Sequence, residues 1–155
     1  MELSKRKITV TTGTRAEYGI LRSLLKEIKK SKKLELFLLV TGSHLSKKHG
    51  YTIKDIKKDR FKIFYKIPMV TSDNETDVVK GLGFSMAKFA TIFKKIKPDF
   101  NLVLGDRGEM LASSIAAYHM NIPNVHIHGG DVSGGIDEYT RHAITKISNI
   151  HFVAT

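Results

Sequence analysis

The sequence contains no cysteine. A disulfide framework and a thiolate metal site are therefore excluded, and nothing argues for an oxidising compartment. No apolar run approaches the ~18 residues that a membrane-spanning helix needs, and the opening segment MELSKRKITV passes from charges straight into a β-branched run. The expected setting is the cytoplasm, with no membrane as partner. Internal repeats, low-complexity tracts and linkers are also missing, so residues 1–155 are expected to form one domain with a real core. At 41% hydrophobic and 26% charged, the composition is that of a soluble globular chain.

Charge of one sign is scarce in one region. Of twenty lysines, nineteen fall between Lys5 and Lys97, and the next is Lys146. Between Asp99 and His142 the fixed cations are Arg107 and Arg141 alone, against Asp99, Asp106, Glu109, Asp131, Asp137 and Glu138. The net charge of +11 is thus concentrated away from the acids. Lysines 26, 29, 30, 32 and 33 fall at a helix end and turn, and no aromatic residues interleave with them to stack on bases. Nucleic acid is not expected as a partner.

What is present is a regular alternation. Ile8–Thr11, Leu34–Val40, Phe100–Leu104, Val125–His128 and Ile150–Val153 read as strands, and Phe61–Ile67 alternates as an edge strand does. Helical patterns cover 16–30, 77–95, 109–118 and 138–147, with Met86, Phe89, Ile92, Phe93 and Ile96 as core. Strands separated by helices predict an α/β fold with a doubly wound parallel sheet. The last strand lacks the helix that follows each earlier one, which suggests half of something larger.

Chemistry concentrates at three strand exits, where open α/β sheets place ligands. Thr12-Gly13-Thr14-Arg15 offers backbone N–H groups and a guanidinium to an anion, although its spacing fits neither a Walker A loop nor GxGxxG. Gly105-Asp106-Arg107 sets an acid beside a cation; an N-cap pair is the plainer reading. VHIHGGDVSGGIDEYTRH, from Val125, crowds His126 and His128 with three acids and four glycines. His126 and His128 on one strand face are also a metal-ligand geometry, but no further cluster accompanies them, so neither metal nor cofactor is expected. Glu109 and Glu138 read as first-turn acids favoured by the helix dipole, and His49, His119 and His151 as surface or packing histidines.

TGTRAEYGILRSLL from Thr12, TGSHLSKKHGYT from Thr41, KPDFNLVLGDRGEML from Lys97 and VHIHGGDVSGGIDEYTRHAITKISNIHF from Val125 together resemble the hydrolysing UDP-N-acetylglucosamine 2-epimerases of sialic and related nonulosonic acid synthesis. The resemblance implies a Rossmann-like domain equivalent to the N-terminal half of a two-domain GT-B-type enzyme, with the family's C-terminal domain absent. It also implies a UDP-sugar substrate. The proton on C2 of the sugar is not next to a carbonyl, so departure of UDP must come first or with its removal. Oxocarbenium character then acidifies C2, a carboxylate takes the proton, and water adds to the resulting glycal to release a free N-acetylmannosamine-type sugar.

Carried over by motif, Asp106 and Asp137 match catalytic aspartates, Arg107 and Arg15 face the diphosphate, and His44, His126 and His142 match substrate-binding histidines. One position departs. Many members read His-Ile-Glu-Gly-Gly with the glutamate as acid/base, whereas this chain has His128, which can itself exchange a proton near neutral pH, with Asp131 beside it. Two other readings stand beside this one. The chain is a non-catalytic module that binds sugar nucleotides or pairs with a separate second domain, or a relative of the non-hydrolysing 2-epimerases. A domain built to face a partner should expose an apolar strip at its cleft edge and C-terminal strand, so a homo-oligomer or a separate C-terminal domain is expected to cover it.

Overall fold

The computed structural model describes residues 4–69 and 74–154. Among them, strands β1 (Arg6–Thr12), β2 (Leu34–Thr41), β3 (Ile63–Ile67), β4 (Phe100–Leu104), β5 (Asn124–Ile127) and β6 (Ile150–Phe152) form one sheet. Between them run helices α1 (Arg15–Lys30), α2 (Ile53–Lys58), α3 (Glu75–Ile96), α4 (Gly108–His119) and α5 (Asp137–Lys146). The strand order is β3-β2-β1-β4-β5-β6 and every pairing is parallel, which is the expected Rossmann-like doubly wound sheet. Order reverses between β1 and β4, which opens a crevice at the carboxyl ends of those strands.

Local chemistry explains the elements. Thr14 caps α1 and the Glu17 carboxylate reaches back to the cap, while Lys29 and Lys30 occupy the last turn where cations suit the dipole. Leu21, Leu25 and Ile28 then repeat on one buried face. Helix α3 opens at Asn74, whose side chain accepts from the Asp77 N–H. It closes where Lys97 turns left-handed ahead of Pro98. Strand β2 is a continuous apolar run because both its faces are covered. Leu38 and Val40 pack with α1 and α2, whereas Phe37 and Leu39 pack with α3 and α4. Each such fully buried side chain contributes about 1.5–3 kcal/mol.

The edge position of β3 agrees with its alternating sequence. Helix α2 was not anticipated: at six residues it is too short to show a period, yet Ile53 and Ile56 are fully buried. Strand β5 stops at Ile127, and His128 takes a left-handed φ of 58°, so the expected alternation of His126 and His128 on one strand face is broken. Apolar surface is exposed at the C-terminal strand as expected, and a second stretch lies on a face of the sheet rather than at the cleft edge. Phe152 and Val153 are exposed, and a groove of about 440 Å³ lined by Ile8, Leu24, Phe100, Val125, Ile127 and Phe152 runs along the α1 side of the sheet.

Candidate active site

Two groups of polar side chains form where the strands end. The first follows β1 and β2. Glu17 Oε2 accepts from the N–H groups of Gly13 and Thr14 at 2.7 and 3.0 Å, so the helix start expected to receive an external anion is filled by the chain's own carboxylate. Glu109, in the first turn of α4, reaches the same place; a Cβ on Gly42 would lie 2.4 Å from its Oε1, and Gly42 carries a φ of +56°. Both carboxylates are at least nine-tenths buried, and Arg107 Nε lies 3.4 Å from Glu109 Oε2 and 3.9 Å from Glu17 Oε1. Burial, with Glu109 adding to it, pushes the Glu17 carboxyl up to about 7.

His44 lies behind this group, fully buried, with Nε2 on Thr12 Oγ1 at 3.1 Å and Nδ1 on Thr52 Oγ1 at 2.7 Å. Burial pushes its imidazole down to about 4, so it is neutral at physiological pH. Its ring nitrogens tie the exit of β1 to the approach to α2.

The second group follows β4 and β5. Asp106 is ion-paired with Arg141 Nη2 from α5, and Arg141 Nη1 donates to the Asp131 carbonyl at 3.0 Å. One guanidinium thus joins the β4 turn to the glycine loop. His126 Nε2 sits 2.7 Å from the Gly105 carbonyl, which can only accept, so this nitrogen carries the proton. Nδ1 therefore accepts from Thr145 Oγ1 at 3.1 Å, and that hydroxyl accepts the Gly130 N–H at 3.1 Å. The result is a directed chain from Gly130 through Thr145 and His126 to Gly105. A Cβ on Gly129 would lie 2.5 Å from His126 Nδ1, so the loop closes onto the ring. Burial lowers the His126 pKa, which keeps this tautomer neutral.

Beyond that clamp the surface is open. Glu138 Oε2 accepts from the N–H groups of Gly134 and Ser133, which hold its carboxyl below the usual range, and Oε1 lies 3.7 Å from His142 Nε2. Asp137 is exposed at the start of α5. His128 is part-buried, with its N–H donating to the Phe152 carbonyl. Among the described residues no three His, Asp or Glu side chains gather as metal ligands.

The profile of the UDP-N-acetylglucosamine 2-epimerase family matches residues 26–155. The chain belongs to that family. It is 48% identical over 151 residues to a hydrolysing UDP-N,N'-diacetylbacillosamine 2-epimerase of Legionella pneumophila, covering 97% of this chain and 40% of that protein. It is 42% identical to a hydrolysing GDP/UDP-N,N'-diacetylbacillosamine 2-epimerase of Campylobacter jejuni, covering 98% and 40%. A UDP-N-acetylglucosamine 2-epimerase crystal structure superposes with a TM-score of 0.85 at 24% identity, over 99% of this chain and 41% of that one. This epimerase-family chain therefore spans about 40% of the length of the curated relatives it matches.

Several expected residues change place in the epimerase fold. Arg15 Nε lies 3.5 Å from Asp55 Oδ2 of α2, with most of its side chain exposed. His44 and His126 are fully buried, and both ring nitrogens of each lie within hydrogen-bonding distance of protein partners. Glu109 is in a first helical turn as expected, but it is enclosed rather than solvated. Glu17, Arg141 and Thr145 were missed. The Thr14-x-x-Glu17 spacing is a readable capping box, and Arg141 is one of two fixed cations in an acidic stretch, the natural partner for Asp106.

Proposed function

We propose that this chain is the N-terminal domain of a hydrolysing UDP-sugar 2-epimerase and contributes the acid/base half of its site. The observation that carries the reading is the Asp106–Arg141–Asp131 linkage, which holds a carboxylate at the β4 exit beside the glycine loop bearing His128 and Asp137. In this reading the anomeric C–O bond breaks with its electron pair leaving on UDP. A base from the set Asp106, His128, Asp131 and Asp137 removes the C2 proton, and water then supplies oxygen to C1 and a proton to C2 from the opposite side. Arg107 answers the diphosphate charge, and His142, 3.7 Å from Glu138 at the loop, is read as a sugar contact. His126 and His44 act behind these groups. The identities of 48% and 42% favour a UDP-linked diacetamido sugar over UDP-N-acetylglucosamine as substrate.

The test is a chimera in which this chain replaces the matching N-terminal portion of the Legionella enzyme. It should release UDP and a free 2-epimer carrying one solvent deuterium at C2 when run in D2O, and Asp106→Asn should lower the rate by roughly 10³-fold or more. Unchanged activity in Asp106→Asn refutes the assignment. The 155-residue chain alone should turn over negligibly, because an open, wet surface stabilises developing charge weakly. A chimera inactive under all conditions, with the isolated chain still binding UDP-sugar, favours the binding-module reading. The apolar groove is read as the surface for a second copy, and a clean monomer at high concentration in sedimentation overturns that.

A further inference from the structure

Glu17 Oε1 is a buried oxygen without a hydrogen-bond partner, on a residue only 6% exposed. Its other oxygen is committed to the Gly13 and Thr14 N–H groups. Arg107 Nε lies 3.9 Å from Oε1, and an enclosed carboxylate oxygen so loosely paired favours the protonated acid. Glu109 reaches the same turn: a Cβ built on Gly13 would be 3.4 Å from both Glu109 Oε1 and Glu17 Oε2, the oxygen already committed to the backbone. The shifted titration of Glu17 agrees with this arrangement. Arg107 makes both its ion pairs with this group through Nε, and half of its side chain is exposed. The fork of terminal nitrogens that would grip a phosphate therefore lies outside the pairing.

We propose that Glu17 and Glu109 are positioning residues for Arg107, a buried pair that anchors its Nε edge and sets, through the charge on Glu17, how strongly the guanidinium is drawn away from a bound diphosphate. The inference rests on the reading of Arg107 as the diphosphate-facing cation. With the proton present, one negative charge faces one positive charge. When it leaves, two carboxylates compete with the ligand for Arg107, so diphosphate affinity falls as pH rises through neutrality. The charged groups that meet Glu17 are Glu109 and Arg107 from α4, while His44 after β2 is neutral and adds none.

The experiment uses the 155-residue chain, inorganic pyrophosphate as probe, and Glu17→Gln, whose amide mimics the protonated acid while its oxygen still accepts from Gly13 and Thr14. Pyrophosphate binding by wild type and Glu17→Gln should be equal near pH 6 and differ by roughly 5-fold in favour of the variant by pH 8. Comparing the two proteins at each pH cancels the ionisation of pyrophosphate itself. The ligand-free readout is the Arg107 Nε–H resonance, which should shift with the Glu17 carboxyl titration in wild type and stay still in Glu17→Gln. An Arg107 resonance indifferent to Glu17, or a Glu17 carboxyl titrating in the ordinary glutamate range, overturns the inference. Loss of binding in Arg107→Gln supports the reading beneath it. If Arg107→Gln binds pyrophosphate as wild type does, that reading fails, and the coupled resonances still decide whether the pair anchors Arg107.

Discussion

The two strand-exit groups solve opposite problems. At β1 and β2 the polar atoms are enclosed: Glu17, Glu109 and His44 are buried, and Gly42 leaves room only for the Glu109 carboxylate. At β4 and β5 the enclosed groups are the clamp of His126 with Thr145 and the Asp106–Arg141 pair, and the loop beyond them is open, with Val132, Ile136 and Tyr139 each more than three-quarters exposed. The closed side fixes geometry, and the open side leaves Asp137 and His142 exposed. Desolvation accordingly shifts Glu17 and His44 far from their ordinary values.

Substituting glycines tests that contrast most sharply. In Gly42→Ala the new methyl would lie 2.4 Å from Glu109 Oε1 and 2.9 Å from the Gly13 carbonyl, at a φ of +56°. The left-handed backbone and the clash together should cost about 3–5 kcal/mol in chemical denaturation. A loss under ~1 kcal/mol would mean that the β1 and β2 exits are not closed.

Titration gives the next effect. His44 is lowered to about 4, so the folded chain binds fewer protons than the unfolded one, and stability from His44 is lost as pH falls from 6.5 towards 4. Glu17 is raised from 4.5 to about 7, so its contribution has the other sign: stability is greatest below 4.5 and is lost as pH rises towards 7. Each spans on the order of 3 kcal/mol at most. Relative to wild type, His44→Gln should therefore gain stability on acidification and Glu17→Gln on alkalinisation, as melting temperatures between pH 4 and 8 would reveal. Parallel profiles for the two variants contradict the enclosure of one of them.

Periodicity made the sheet legible, because strands buried on both faces read as apolar runs and α1 and α3 carry a helical stripe. The proximity of the Asp106 turn and the glycine loop was legible because both follow strands at the same end of the sheet and concentrate acids in a stretch with two cations. What was not legible depended on tertiary closure. Nothing local distinguishes Glu109 in a first helical turn from a solvated dipole partner; its burial is decided by Gly13 and Gly42, far away in sequence. His44 and His126 looked like ligands for the same reason. A histidine's two nitrogens are spoken for only once Thr52, Thr145 and Gly105 have been brought to them.

The clamp on the open side is expected to contribute less than the closed group. Thr145→Val keeps the shape and removes the hydroxyl that joins Gly130 to His126, so the Gly130 N–H loses its acceptor and Nδ1 its donor. About 1–2 kcal/mol should go, with faster amide exchange at Gly130, while Thr145→Ser keeps both bonds and restores protection. Equal protection in the Val and Ser variants would remove the directed chain from the description.

The smallest effect belongs to the loop beyond the clamp. Gly134 has a φ of +69°, as Gly42 has a similar value, but a Cβ there meets nothing within 4 Å. Only the backbone preference is at stake, so Gly134→Ala should cost about 1 kcal/mol, with the Glu138 carboxylate still accepting from the residue 134 N–H. The pair Gly42→Ala and Gly134→Ala thus separates strain from enclosure at nearly matched φ. The difference between their denaturation free energies measures how much of the closed side is packing. Should the two variants lose the same stability, the contrast between the strand exits reduces to backbone conformation, and the case for a rigid floor beneath an open loop falls with it.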